Sequence, residues 1–594
     1  MASFRRAVGA LASVLALAGP SLADLVLYNQ ANEFTTLAEA SNGFAHQTFR
    51  SSDIVAPILN INSLNRHGLD DAPYIFLGTV YGQMRAGPMI LDARDFSLVY
   101  ADQHYDNSYC SNVQMFNGSR HLVFWEGVHN RGHANGYGLV YDENYNLVFN
   151  VTAQGLGGAL ADMHEVQLTS NGTIIFSAYW TIPYDCTIMG GQADAMLMDS
   201  GFQEVDPVTN KILFQWAASQ YFSLEDTHAR YTEGFGVKEG SGFDFFHINS
   251  VEKTEDGNYL ISSRHTSTIA LIDGTNGHPI WILGGRRNQF RDLSGGRATN
   301  FGWQHDARFY KNQSHITMFD NHGEHTGYCD GPCRSRGLHL AINTTDMTVR
   351  VVHEYYHPSG IDSGAMGGMQ TLESGNVIVG WGYTPSFVEY APNGTVVMSV
   401  QRGKLGEGFQ ADMFAYRAHK GHWTGRPSWL PSAAVDAPHR TTENATVYLS
   451  WNGATDIASW AVLASPYANK LSGFDNLVAL ANKTGFETQI FLGNRTSYRY
   501  MGAAALDKNG AIMGSTFVID MQNGQPVLMP SSIASVWPEA EPIISNKFGI
   551  LMIVGCVVSM GLFLGRFFSR RLHWTTNYET TKYERIESEE RRIE

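Results

Sequence analysis

Residues 162–173 read DMHEVQLTSNGT, and their reading decides the fold. A short alternating run ends in a Ser-Asn-Gly turn. A stronger apolar run follows at once, TIIFSAYW at 173–180. The same form returns as DFFHINSVEKTEDGN at 244–258 and as GMQTLESGN at 368–376. Between these copies, EVDPVTNKILFQW at 204–216 and LIDGTNGHPIW at 271–281 each set an Asp and a turn before a strand that ends in Trp. Repeating antiparallel units of about fifty residues predict the blades of a β-propeller. A solenoid would show a stricter, shorter period, and a jelly roll would not repeat in this way. The repeat alone allows six to eight blades.

Working outward, β-branched and aromatic runs bounded by Gly, Asn and Asp read as strands. They include YIFLGTV at 74–80, HLVFW at 121–125, YLISS at 259–263 and NVIVGW at 376–381. The stretch from Asp24 to about Leu430 is read throughout as short strands and turns. At 426–431, RPSWLP marks a linker. Five further runs follow it, at 445–453, 458–464, 488–492, 498–506 and 515–519, and predict a small β-sandwich over 431–521. A Pro-containing stalk fills 522–547.

The ends of the chain carry apolar runs. Arg5 and Arg6 precede an apolar segment and the small-x-small Ser21-Leu22-Ala23, which predicts a signal peptide over 1–23, cleaved after Ala23. FGILMIVGCVVSMGLFL at 548–564 is uncharged and is followed by Arg566, Arg570 and Arg571. It predicts one transmembrane helix over 548–565 with 566–594 as a cytoplasmic tail, a single-pass type I protein whose N-terminal bulk is lumenal or extracellular. All the N-x-S/T triplets fall between the two apolar runs, at Asn117, Asn150, Asn171, Asn312, Asn343, Asn393, Asn444, Asn482 and Asn494. Four of the five cysteines lie there too. In an oxidising compartment they allow three pairings. Cys329–Cys333, around a tight Asp-Gly-Pro turn, with Cys110–Cys186 is the pairing preferred. The net charge of −15, with no basic stripe interleaved with aromatics, gives no footing for nucleic acid.

Chemistry concentrates in residues 284–321, GGRRNQFRDLSGGRATNFGWQHDARFYKNQSHITMFDN, and in Ser335-Arg336-Gly337 beyond. A Gly/Arg loop leads to His305 and then to Asn321. His164 and His247 hold the corresponding place at the start of earlier repeats. In a propeller such positions converge on the axis from different blades. His can act as nucleophile or acid–base near neutral pH, Arg is a permanently charged oxyanion donor, and Asn a neutral one.

These motifs, His-Ile-Asn-Ser at His247, Gln-His-Asp-Ala-Arg at His305, Phe-Asp-Asn at Asn321 and Ser-Arg at Arg336, resemble the arylsulfotransferase family, in its fungal and eukaryotic branch related to bacterial arylsulfate sulfotransferase. The resemblance spans most of residues 60–520. It implies six blades, a fibronectin-III-like identity for the following sandwich, and sulfuryl transfer from an aryl sulfate ester to a phenolic acceptor with no cofactor. It implies catalytic roles for His247, His305, Asn321 and Arg336, with His164 and His322 as possible additions. In the bacterial relatives one channel His is transiently sulfurylated; the matching stretch here, IDSGAMGGMQ at 361–370, has no His.

Other readings stay open. A membrane-tethered propeller could bind a ligand without catalysis. His322, His325, Cys329 and Cys333 have spacings a zinc site uses, which would make a metal-dependent hydrolase, although two lumenal cysteines more often pair with each other. No GxxxxGK[ST] loop is present for a nucleotide donor, and no CxxCH. The repeated tryptophan docking motifs expected of a quinone-dependent dehydrogenase are also missing.

Overall fold

The computed structural model describes residues 24–530 apart from 42, 82–83, 131, 232–241, 323–333, 406–412 and 495–496. The expected leader at 1–23, the apolar run at 548–564 with the residues after it, and Cys329, Cys333 and Cys556 lie outside the described residues. So do all residues from 531 onward. Among the described residues no helix is long and apolar enough to cross a membrane.

The protein is all-β. Among the described residues, six four-stranded antiparallel units follow one another in the chain. The second comprises Ser108–Phe116, Ser119–Asn130, His133–Tyr141 and Leu147–Val151. The third comprises Ala161–Leu168, Ile174–Tyr184, Ala195–Val205 and Ile212–Ala217, and Gly136 opposite Ala161 joins it to the second. The fourth runs from Ile248–Lys253 to Pro279–Gly284, the fifth from His305–Tyr310 to Thr348–Tyr355, and the sixth from Gly368–Thr371 to Val396–Gln401. The first unit takes strands from both ends of the series: Met413–Gly421 pairs with Tyr74–Tyr81, followed by Met84–Asp92 and Leu98–Ala101. That pairing closes a ring. The leading strands of units two to six, and then Met413–Gly421, each lie beside the next, and the last lies beside Ser108–Phe116.

Each pair of neighbouring units shares its own apolar core, because alternate side chains of a strand go to opposite faces. Ile75, Leu77 and Met89 meet Ile378, Phe387 and Met398 between units one and six. Tyr259 and Ile261 meet Phe202 and Trp216 between four and three. Met318 and Leu338 meet Leu260 and Leu283 between five and four. Six units therefore hold each other at six seams rather than around one core.

After the ring come two facing sheets. Ser432–Asp436, Thr446–Ser450 and Thr488–Phe491 form one; Ser459–Ser465 and Tyr500–Leu506 centre the other. Val447, Leu449, Trp460, Val462, Met501 and Ala503 share the core between them. Gln525–Pro530, within the expected stalk, pairs with Phe517–Asp520 and extends the second sheet. The module docks on the first ring unit through Trp451-Asn452-Gly453. Asn452 exchanges two bonds with the Ala101 backbone, and Gly453 donates to Val99 O at 2.8 Å. Gly453 has φ 92, and a Cβ there would sit 2.7 Å from the Tyr145 ring; both the turn and the approach require glycine.

Two expectations are corrected. The stretch after Asp24 is not only strands and turns, since Ala31–Ala40 is an α-helix. Phe34 and Ala38, four residues apart, bury one face of it. Cys110 and Cys186 are not paired; both are free, buried thiols. Cys110 belongs to the core between units two and three and Cys186 to that between three and four. The Cys110 thiol points at Met163 O, 3.2 Å away, and burial pushes its pKa up to about 12. Alkylation of the native protein should therefore miss both. Alkylation after unfolding without reductant should mark both, and a disulfide-linked 110/186 peptide would contradict this.

All the sequon asparagines are exposed except Asn444, which is half-buried.

Candidate functional site

A β-bulge recurs at one depth in the leading strands. The register shifts at Tyr109/Asn112, Ala161/Val166, Ile248/Ser250, His305/Arg308 and Ala415/Ala418. Bulges leave residues out of the ladder and re-aim their side chains. The backbone records this at Cys110 and Asp306, each with φ of 58°, and it turns the same way just before two leading strands, at His247 and Met366, with φ of 58° and 61°, values costly for residues other than glycine. Arg417 lies beneath the bulges and ties them together. It donates to His164 O and Asn249 O at 3.0 Å and pairs with Asp306 and Glu165 at 3.3 and 3.4 Å.

Above that layer the bulged strands bring histidines together. His164 donates from Nδ1 to Asp162 and His247 from Nδ1 to Asp244, each at 2.5 Å. Each bond fixes its ring proton on Nδ1. The Nε2 lone pair of each ring then has no protein partner among the described residues. The two rings lie 4.9 Å apart, edge to face, with Tyr179 5.5 and 5.6 Å from them. His265 is 4.6 Å from His247. It donates from Nδ1 to Asp244 O at 2.7 Å and accepts at Nε2 from Arg264 at 2.9 Å. The Arg264 guanidinium lies 3.9 Å over the Trp303 ring.

Electrostatics follow from this packing. Burial, then the neighbouring His164 and Arg264, holds His247 well below the ordinary histidine range. Burial also takes His265 down to about 3 against the pull of Asp244, and loss of water takes Arg264 down to about 10. Asp244, His247 and His265 offer three ligand atoms within 4.8 Å of one another, as a metal site would. The guanidinium bonded to His265 opposes a cation there and suits an anion.

The remaining sequence-derived residues fall into two places. His305 belongs to the histidine cluster, its ring 6.3 Å from Tyr416, which is 5.7 Å from His164. Both its nitrogens are engaged: Nδ1 donates to Asn321 Oδ1 at 2.6 Å and Nε2 accepts from Met366 N at 3.3 Å. The Asn321 amide in turn donates to Ser363 O and Met366 O. Burial, then Arg264, keeps His305 well below its ordinary range. Arg336 is elsewhere. Its guanidinium is taken by Asp320 at 2.8 Å, by Glu354, by Arg297 O at 3.1 Å and by Asn300 at 2.9 Å. His322 shares Asp320 with it. The structure thus brings His164, His247, His305 and Asn321 together and sets Arg336 and His322 apart on Asp320. Arg264, His265, Asp162 and Asp244 were not read from the sequence. The recurring Asp two or three residues before a repeat's His, in DMH and DFFH, is the signal that points to the carboxylates.

Buried neutral histidines set the acid stability. His265, at about 3, and His339, His357 and His419, each at about 4, have folded pKa values below the unfolded 6.5. Below 6.5 the unfolded chain takes up protons that the folded chain refuses, so stability is full above about pH 6.5 and falls toward pH 4. A melting temperature unchanged between pH 7 and 4 would contradict these environments.

Residues 112–403 match the arylsulfotransferase (ASST) family model. This region belongs to the arylsulfotransferase family, a family of sulfuryl transfer from aryl sulfates. None of the curated proteins matches the chain. Among solved structures, a protein of unknown function from Bacteroides caccae is 13% identical, covering 58% of this chain and 98% of its own, with a TM-score of 0.35. BamB from Moraxella catarrhalis is 12% identical, covering 62% and 88%, with a TM-score of 0.26. Hydrazine synthase from Kuenenia stuttgartiensis is 10% identical, covering 55% and 80%, with a TM-score of 0.31. At these scores the likenesses carry no argument.

Proposed function

We propose that the protein moves a sulfuryl group from an aryl sulfate ester to a phenolic acceptor, using His247 as nucleophile, His164 as base and Arg264 as the oxyanion's guanidinium. One observation carries this reading. Two imidazoles from different units meet edge to face at 4.9 Å, each with its proton on Nδ1, donated to its own carboxylate, and its Nε2 lone pair without a protein partner among the described residues. A double displacement needs one nucleophile and one base, and the cluster offers two such rings; His265 and His305 have both nitrogens engaged. His247, at 7% exposed against 2% for His164, is the more accessible.

In the first half-reaction Nε2 of His247 bonds to sulfur as the sulfur–oxygen ester bond breaks, and the electron pair leaves on the phenolate. The imidazolium so formed is balanced by Asp244. In the second, His164 Nε2 takes the acceptor's phenolic proton, the phenolate oxygen bonds to sulfur, and the sulfur–nitrogen bond breaks back to neutral His247. The proton on His164 passes to the departed phenolate through water. Arg264, low in water and held flat by Trp303, suits the sulfuryl oxygens throughout. His305 and Asn321 then hold the 363–366 backbone against the cluster rather than touching the reacting atoms.

The same proposal takes the six units as the blades of a β-propeller and the two-sheet module as fibronectin-III-like. The exposed positions of all the sequon asparagines but Asn444 support a glycosylated, lumenal or extracellular bulk, and the uncharged run at 548–564 is the basis for one C-terminal membrane helix.

The test is acceptor-dependent release of 4-nitrophenolate from 4-nitrophenyl sulfate by the purified full chain. Release that rises with added phenol and vanishes in His164→Ala supports the reading. A second reading, a binding module without turnover, is favoured by the absence of His at 361–370. Binding of aryl sulfates without release of phenolate would establish it instead.

A further inference from the structure

The loop reading of 284–321 contains two Gly-Gly-Arg turns, at 284–286 and 295–297, and neither enters the chemistry above. They line one cavity of about 660 Å³, within the ordinary range for a small-molecule pocket. Arg286 and Arg297 supply two guanidinium groups to it, and His228, Ser267, Asn300 and Phe301 complete its wall. No carboxylate lines it. Arg297 reaches Glu354 at 3.4 Å from outside that lining.

Three features mark a built anion site. Ser267, one of the lining residues, is 3% exposed, and its buried hydroxyl has no hydrogen-bond partner among the described residues; a buried hydroxyl left unmet is costly. The backbone turns left-handed at Gly285, Gly295 and Gly296, with φ of 61°, 67° and 91°. A side chain at 285 would strike Thr268 Oγ1 at 2.3 Å, while 295 and 296 face open space. The amides of Gly295 and Gly296 have no protein acceptor among the described residues, and consecutive free amides in such turns favour anions. The site also shares a wall with the histidine cluster. Ser267 lies two residues past His265, and His228 N donates to His265 O at 2.8 Å. One hairpin turn thus presents Arg264 and His265 on one side and Ser267 on the other.

We propose that this cavity binds a second anionic group of the substrate, so that the preferred aryl sulfate carries a carboxylate or a further sulfate on its ring system, with Arg286 and Arg297 as specificity residues. Only the sulfate-ester part of this statement rests on the transfer reading. The exposed Arg286 and Arg297 offer the guanidinium donors for the anion.

The experiment titrates 4-carboxyphenyl sulfate and phenyl sulfate into the purified full chain by calorimetry, alongside Arg286→Glu and Arg297→Ala. Both arginines are exposed, so both variants should fold. The expected result is tighter binding of the carboxylated ester, weakened about tenfold by Arg286→Glu, the scale of a lost charged hydrogen bond, with phenyl sulfate changed less than twofold. Equal affinity for the two esters, or an equal loss for both in Arg286→Glu, would overturn the proposal. The two claims separate cleanly. Carboxylate-selective binding without any turnover upholds this site and fails the transferase. Turnover indifferent to the carboxylate and to Arg286 does the reverse.

Discussion

Replacing His247 by alanine is expected to lower sulfuryl transfer by roughly 10²–10⁴-fold, the usual cost of removing a group that moves a proton or attacks in the transition state. The variant should keep its fold, because the ring is held at its six seams and not by this imidazole. His247 loses one charge-assisted bond to Asp244 and ring contacts to His164, Tyr179 and His265. Asp244→Asn should also be damaging, since an amide can hold the ring in the wrong tautomer and cannot balance the imidazolium. Rates are read from phenolate release and folding from the thermal midpoint. Near-normal transfer by a folded His247→Ala protein would remove the nucleophile from the account. The pH profile gives a second check on the same residue. With His247 held neutral well below the ordinary range, the rate should stay level through neutral pH and fall only on the acid side of pH 6.5.

The largest expected loss of stability is at Lys420. Its ammonium is fully buried, 2.8 Å from Glu389, whose carboxylate is buried as well. Lys420 also donates to Asp70 O at 2.9 Å, while Glu389 accepts from Asp70 N and Asn376 at 2.7 Å. Lys420 lies on Met413–Gly421 of the first unit and Glu389 on Ser386–Tyr390 of the sixth. Their pair therefore bolts the seam where the ring closes. Lys420→Met leaves a buried carboxylate without its cation, a change that costs about 3–5 kcal/mol. The shift of the denaturant midpoint measures it. Lys420→Met with Glu389→Gln should recover part of the loss, because the second change removes the stranded charge. A single variant as stable as the parent would mean the seam is not closed in this way.

How far this molecule can be read from its sequence varies by layer. The strands are plain in the sequence, because burial on both faces makes each a short β-branched or aromatic run between turn signals: YLISS at 259–263 is the strand Tyr259–Ser263, buried throughout. The short helix at 31–40 was not, since two apolar residues four apart look like a stray strand in so brief a segment. Cysteine spacing says nothing about which seam a side chain enters, so Cys110 and Cys186 were joined across two separate cores. The site divides in the same way. His164 and His247 stand at the opening of repeats, where the period itself marks them. Arg264 and His265 lie in the turn after Tyr259–Ser263, where no repeat calls attention to them, and only the ring brings them beside His247. Arg336 matched a motif, but a motif does not show that Asp320, Glu354 and Asn300 take up its guanidinium.

The central claim is that His247 carries the sulfuryl group between donor and acceptor. The most direct measurement is peptide mass spectrometry of the full chain, acid-quenched after mixing with 4-nitrophenyl sulfate in the absence of acceptor. The account predicts one added SO3 on the peptide containing His247, lost on addition of phenol and absent from His247→Ala. A burst of phenolate with no adduct, or an adduct on another residue, would contradict it.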